Sequence, residues 1–392
     1  MKTIEEYDEE IQLDPKNAEL YRLRGLEYSN KGDYDKAIKD YDYSINLNPM
    51  CAKTYNNRGS AYSGKKEFEI AINDYNYSIQ LDPNYMAPYY NRGLVYRLKD
   101  EPNLALVDFT MVIKLDPTDE DAYILRGDIY KTTGAVYLYD PSKKDIDRAN
   151  SFFDLALADY NQAININTNN AEYYLCRGMV YTNKNNFEKA IEDFNFAIQL
   201  DSNYADAYWG RGNVYKEMKE YDKAIVDYEQ SLIINPNNEQ AYISRAFIYF
   251  FIKRDYNKAI FDYNELLRIN PNNKDMLNQR GKAYEKINEY EKARLDYELI
   301  ILLNPHDEYA YSNRGRMHEK LEDYDKALND YDMVIKLNSN NAYSYDARGY
   351  LYEKIGNYVK AITDWETALK IDPNLDYINL NIKRVKEKIE GK

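Results

Sequence analysis

Two residue types recur in this sequence with a regularity that could do chemistry. Arginine stands at 24, 58, 92, 126, 177, 211, 245, 280, 314 and 348. Aspartate stands at 40, 74, 108, 159, 193, 227, 262, 296, 330 and 364. A guanidinium and a carboxylate held at a fixed separation make strong, often bidentate hydrogen bonds. Such a row serves either as charges held out to a ligand or as ion pairs that set the register of packed elements. Recurrence at one place in every repeat favours the second use, because a repeated joint is made the same way each time.

Other reactive residues are sparse. His306 lies in a turn, Asn304-Pro305-His306-Asp307, and His318 falls at a packing position. Neither neighbours a cysteine, and two lone histidines do not make a metal site. No glycine-rich phosphate loop follows a strand pattern, because each Arg-Gly pair lies inside a helical pattern. Cys51 and Cys176 are far apart, which disfavours a disulfide and suits a reducing compartment. The expectation is a chain with no catalytic residues, no metal and no cofactor.

The elements that must position these residues follow from one ruler. Arg24-Gly25, Arg58-Gly59, Arg92-Gly93 and Arg126-Gly127 are each 34 residues apart, and the series resumes at Arg177-Gly178. Arg245-Ala246 fills one slot. The chain therefore divides into ten units: 18–51, 52–85, 86–119, 120–170, 171–204, 205–238, 239–273, 274–307, 308–341 and 342–375. Each reads as two amphipathic helices. In 205–238, Tyr208, Arg211, Gly212 and Tyr215 share one helical face, and Tyr221, Ala224, Ile225, Tyr228, Ser231 and Leu232 share another. Asn-Pro-Asn-Asn then ends the second helix. Such a hairpin cannot bury its own apolar faces, but a stack of them makes one continuous core.

Residues 1–17 read as a half repeat, a second helix carried by Ile4, Tyr7 and Ile11. Residues 376–392 read as a capping helix, with Leu375, Ile378, Ile382, Val385 and Ile389 on one stripe. The fourth unit holds seventeen extra residues near 134–150, and its Tyr137, Leu138 and Tyr139 are expected to pack on a neighbouring helix end or to meet a partner, the alternative being a plain extension of the two helices. The seventh unit has one extra residue near Lys253-Arg254.

The pattern resembles the tetratricopeptide repeat (TPR) family over nearly the whole chain. The alanine of that motif recurs in all ten units, from Ala37 to Ala361, and the aromatic that follows recurs from Tyr41 to Trp365. Leu277 and His318 depart from it, as do Thr168, Ser202 and Ser339 at the closing proline. The resemblance implies an all-α fold, an α-α superhelical solenoid of antiparallel helix hairpins with a C-terminal capping helix. The aspartates fall on second helices and the arginines on first helices, so each aspartate is expected to meet the arginine of the following unit.

The resemblance also implies that first helices line a concave groove, with positions five and nine facing inward. These hold Tyr90 and Leu94, Ile124 and Asp128, Leu175 and Met179, Trp209 and Asn213, then Ile243 and Phe247, with Phe250 a turn further on. The units outside that run are more polar there, with Asn56 and Ser60, Asn278 and Lys282, Ser312 and Arg316. An apolar strip between polar ends marks a binding surface. The expected site is thus Tyr90, Leu94, Ile124, Leu175, Met179, Trp209, Asn213, Ile243 and Phe247, the alternative being that some of these, Leu175 and Ile243 first, pack against the next hairpin. The lysine and asparagine clamp of chaperone-binding relatives is absent, since its slots hold Arg22, Leu26, Asn57, Ala87 and Asn91.

A net charge of −14 argues against nucleic acid, and no apolar run is long enough for a membrane span. The acidic first residues lack the apolar stretch of a secretory signal, so a cytoplasmic setting is expected. The function that fits is a non-catalytic scaffold or adaptor whose partner is a protein or peptide. Two alternatives stay open: a solenoid that self-associates, or the regulatory array of a larger enzyme.

Overall fold

The structure, a computed structural model, describes residues 2–391. Among the described residues there are twenty-two α-helices, one π-helical segment and no strand. The fold is an all-α array of antiparallel helix hairpins. The chain forms two compact units, 1–214 and 215–392, whose division falls inside the helix Ala205–Glu217.

The first unit begins with the helix Ile4–Leu13, which Thr3 and Glu6 close with a capping box. Hairpins follow at 18–47, 52–81, 86–115, 120–166 and 171–200. The second unit holds the helix Tyr221–Ile234 and hairpins at 239–269, 274–303, 308–337 and 342–371. Its last helix, Tyr377–Ile389, buries Ile378, Ile382 and Val385 against Trp365 and Ala368. Ile389 completes the stripe in sequence but stays exposed.

Within a hairpin the two helices meet through a short turn whose last residues are stereotyped. One residue takes left-handed backbone, as at Gly32, Asn185 and Glu322. The next caps the second helix, as Asp33, Asn186 and Asp323 do by accepting from the backbone N–H three residues on. The helices then close on the motif alanine and aromatic. Ala37, Ala71, Ala105 and Ala190 have no exposed surface, and Tyr41, Tyr160, Phe194 and Trp365 have almost none. The glycine of Arg-Gly admits that ring: a Cβ on Gly25 would lie 2.8 Å from Tyr41 Cε1.

The Arg–Asp ladder exists, but its pairing differs from the expectation. Nine of the motif aspartates meet the arginine of their own hairpin. In the nine pairs other than that of 205–238, Nε and Nη2 donate to the two carboxylate oxygens at 2.5–3.1 Å. The contact to the neighbouring repeat is made by the third nitrogen. Nη1 reaches back sixteen residues, from Arg24 to Asp8, Arg58 to Asp42, Arg177 to Asn161, Arg211 to Asn195 and Arg280 to Asn264. The reason is helical geometry. Two residues on a helix point roughly 200° apart, so the aspartate faces its own partner helix while the residue two later faces the next repeat. A tyrosine face adds to the joint, with ring centroids 5.4–5.9 Å from nine of the ten guanidinium carbons. Leu277 removes that face from Arg280.

Burial acts on the carboxylates. It pushes Asp262 up to about 6, against the opposing hydrogen bonds from Arg245. An unfolded aspartate titrates near ~3.9. Between these two values the folded chain keeps a proton that the unfolded chain has lost. Stability from this group is therefore present below the unfolded value and is lost as pH rises through about 6, by on the order of 2 kcal/mol. Melting of the parent and of Asp262→Asn between pH 4.5 and 7 checks this. The parent loses stability relative to the variant as pH rises, and parallel profiles count against it.

Two departures from the period have distinct structures. The insertion lengthens both helices of one hairpin, to Glu120–Tyr139 and Ile146–Ile166. Tyr137 stacks on Phe152 at 5.7 Å, and Tyr137 and Leu138 pack against the core that holds Phe153. Tyr139 is mostly exposed and donates its hydroxyl to Asn183 Oδ1, on the end of the next hairpin's first helix. The extra residue of the seventh repeat is absorbed as a π-helical turn, Ile248–Lys253, closed by Arg254 in left-handed backbone. π-Turns of this kind arise by single insertions into α-helices and often mark functional places.

Candidate binding face of the first helices

The residues expected to line a groove do not share one environment. In the first unit most are drawn into the joints between hairpins. Leu175 is buried with Phe194, Ala207 and Val214, and Met179 packs beside it. Ile124 is buried in the cluster of Phe153 and Tyr160. Leu94 packs against Phe109 and Ile129, and Tyr90 sets its ring edge-on to Phe109 at 6.1 Å. Burial pushes the Tyr90 hydroxyl up. Ile124 and Leu175 thus offer no surface to a partner, while Tyr90, Leu94 and Met179 offer part of theirs.

Trp209 is half-buried, and its indole N–H is enclosed with no acceptor. Only its ring face is left for contact. Asn213 stands one turn further along the same helix, also half-buried. Asp128, the polar member of the series, accepts from Tyr160 Oη at 2.7 Å and Lys131 Nζ at 2.8 Å. It is spent on the hairpin.

The second unit differs. Ile243 and Phe247 are exposed, at 37% and 44%. Beyond them the π-turn shifts the register. Phe250 turns inward and is buried, while Phe251 is 52% exposed and meets Phe247 at 5.0 Å. Phe250 supports this pair from beneath, at 4.7 Å from Phe251 and 5.4 Å from Tyr256. Phe251 is the member of this face that the spacing misses. The one-residue excess in that repeat is the signal for it.

The polar slots in the same unit are engaged with one another. Arg316 Nη2 donates to both oxygens of Glu285 at 2.9 and 2.8 Å. Arg384 and Lys388 both reach Glu353, at 2.6 and 2.9 Å. His318 is buried with Nε2 3.9 Å from Asp330, and burial pushes its imidazole down, towards the neutral form. The site therefore offers apolar and aromatic faces, without a nucleophile, base and orienting group in sequence.

Tetratricopeptide repeat family models match residues 25–66 and 178–219, 52–85, 205–238 and 308–341, 342–375, 6–39, and 239–273 and 275–307. Together these reach well over half of the sequence, and the chain belongs to the tetratricopeptide repeat family. Among curated proteins no significant relative is found. Solved structures of similar fold include the C-terminal part of a TPR repeat-containing protein from Cytophaga hutchinsonii. It is 18% identical with a TM-score of 0.50, over 58% of this chain and 94% of that one. YrrB, described as a TPR protein with an unusual peptide-binding site, is 22% identical with a TM-score of 0.42, over 52% and 97%. Yeast Tom70 is 17% identical with a TM-score of 0.38, over 96% and 89%. No helix among the described residues is long and apolar enough to cross a membrane.

Proposed function

We propose that this chain is a non-catalytic scaffold that holds a protein or peptide segment against the faces of its first helices. The observation that carries this reading is the exposed aromatic cluster of Phe247 and Phe251 beside Ile243. Large apolar side chains left in water cost free energy unless a partner covers them. Trp209, Met179 and Tyr90 supply half-buried faces of the same kind in the first unit. The repeat boundaries belong to this reading: a half repeat over 1–17, ten units from 18 to 375 and a cap over 376–392. Family matches to 52–85, 205–238, 239–273, 308–341 and 342–375 support those boundaries. A reducing, cytoplasmic setting without nucleic acid fits two unpaired cysteines and a net charge of −14.

The test begins with partners captured on the full chain. Phe247→Ala and Trp209→Ala each weaken binding of a true partner by on the order of 2 kcal/mol, as aromatic anchors do. Salt has little effect, since burial and not charge drives the association. Variants that melt like the parent and still bind like it would move the partner off these helices.

One observation favours a second reading, self-association. The second helices of the second unit expose Val226, Phe261, Leu295, Leu299 and Leu302 on their outer face, at 44–71%. Sedimentation across concentrations separates the two: a monomer at high micromolar concentration sets self-association aside.

A further inference from the structure

Beside the insertion lies an open cleft of about 620 Å³. Its walls carry three cations from three elements. Arg97 comes from the first helix of the preceding hairpin, Lys143 from the link between the lengthened helices, and Arg148 from the second of them. All three are exposed. Among the described residues none of them makes an ion pair, whereas the nine ladder arginines described above are each held by an aspartate.

Arg148 rests on an aromatic face without being neutralised. Its guanidinium carbon lies 4.5 Å from the Tyr137 ring centroid, and Tyr137 in turn stacks on Phe152 with an interplanar angle of 4°. Stacking on a ring holds the guanidinium plane and leaves its N–H edge free to donate. Two carboxylates also line the cleft, Asp100 and Asp128. Asp128 is already satisfied by Lys131 and Tyr160, so the balance of the cleft is cationic in a chain whose net charge is −14. Three unpaired cations in one place, on so acidic a protein, attract an anion by Coulomb attraction that the rest of the surface opposes. Because they stand on three separate elements, they suit acceptors spaced along a chain. The Tyr137 and Phe152 rings and Val136 give apolar wall between them.

We propose that this cleft binds an acidic peptide segment, with oxyanion side chains against Arg97, Lys143 and Arg148 and an apolar side chain between them. The site draws on first-helix residues, Arg97 and Asp128 among them, but includes neither Trp209 nor Phe247. Association here is electrostatic, and salt weakens it.

Fluorescence anisotropy on the full chain tests this with three labelled hexapeptides. They alternate phenylalanine with glutamate, with phosphoserine or with lysine. The glutamate peptide binds, the lysine peptide does not, and raising salt from about 50 to 300 mM weakens binding on the order of tenfold. Arg97→Ala and Arg148→Ala each weaken it on the order of fivefold, and Arg148→Lys, which keeps charge but loses the planar stack, falls between. Arg254→Ala, an exposed arginine elsewhere, and Trp209→Ala leave it unchanged. Tighter binding of the phosphoserine peptide makes a phosphoryl group the oxyanion, and equal or weaker binding makes it a carboxylate. Equal binding of the lysine peptide, parent-like binding by both arginine variants, or full displacement by millimolar inorganic phosphate overturns the proposal.

Discussion

Replacing Arg177 by alanine costs about 3–5 kcal/mol at neutral pH. The side chain donates from Nε and Nη2 to both oxygens of Asp193, at 2.9 and 2.6 Å, and from Nη1 to Asn161 at 2.7 Å. Asp193 is almost fully buried on the helix Phe187–Leu200. Without its partner it is a charge with neither water nor a cation beside it. Burial already pushes this carboxyl up while Arg177 opposes it. Once Arg177 is gone the opposition is gone, so the orphan takes a proton as pH falls and the cost shrinks towards pH 5. Lysine does not rescue, because a point charge cannot reproduce two parallel bonds and a bond to Asn161. Urea unfolding at pH 7.5 and pH 5 measures both costs. Trp209, on the next hairpin's first helix, reports the damage by fluorescence, and Trp365 in the other unit serves as the reference. A cost under about 1 kcal/mol at both pH values would mean that water screens the ladder.

Phe194→Ala should cost a similar amount, about 3–5 kcal/mol. The ring is 1% exposed and lies between glycines of two hairpins. A Cβ on Gly178 would come within 3.0 Å of it, and one on Gly210 within 2.7 Å. Phe194 therefore fills a slot whose two walls are bare backbone, and truncating it leaves a cavity that rigid helices cannot close. The converse change overpacks the same slot. Gly210→Ala should cost about 1–3 kcal/mol, net of the ~1 kcal/mol that alanine gains over glycine in a helix. The two effects are coupled through one volume. In a Phe194→Leu background the penalty for Gly210→Ala falls by about 1 kcal/mol or more. A double-mutant cycle in urea measures the coupling, and strict additivity would show that ring and glycine do not share the slot.

The hairpins and their order were legible in the sequence, because a 34-residue period fixes where each glycine, alanine and aromatic must fall. The partner of each aspartate was not. Asp193 and Asn195 lie two residues apart on one helix, and only the packed helices decide which faces its own hairpin and which faces the next. The groove was legible as a set of positions but not as a surface. Position five holds Ile124, Leu175 and Ile243 alike, yet two of these are buried and one is exposed. Depth of burial depends on how closely neighbouring hairpins approach, which the side chains of other helices decide. The extra residue of the seventh repeat was visible as a count. Its conformation was not, and the π-turn exchanges the roles of Phe250 and Phe251.

The third nitrogen of eight ladder arginines bonds the preceding repeat, and that has a mechanical corollary. What it grips on the preceding repeat changes along the chain. Arg24 and Arg58 hold Asp8 and Asp42, and Arg348 holds Asp332. Between them Arg92 holds Asn76, Arg126 holds Thr110, and Arg177, Arg211 and Arg280 hold Asn161, Asn195 and Asn264, while Arg245 Nη1 stands 3.9 Å from Glu229. The outer clips are ionic and the inner ones mostly neutral. Ions in solution loosen an ionic clip and leave an amide clip almost untouched. Ionic strength therefore acts as a tuning screw on the flanks of this array. Dilute buffer tightens its outer repeats, added salt relaxes them, and the compliance of the middle stays nearly constant.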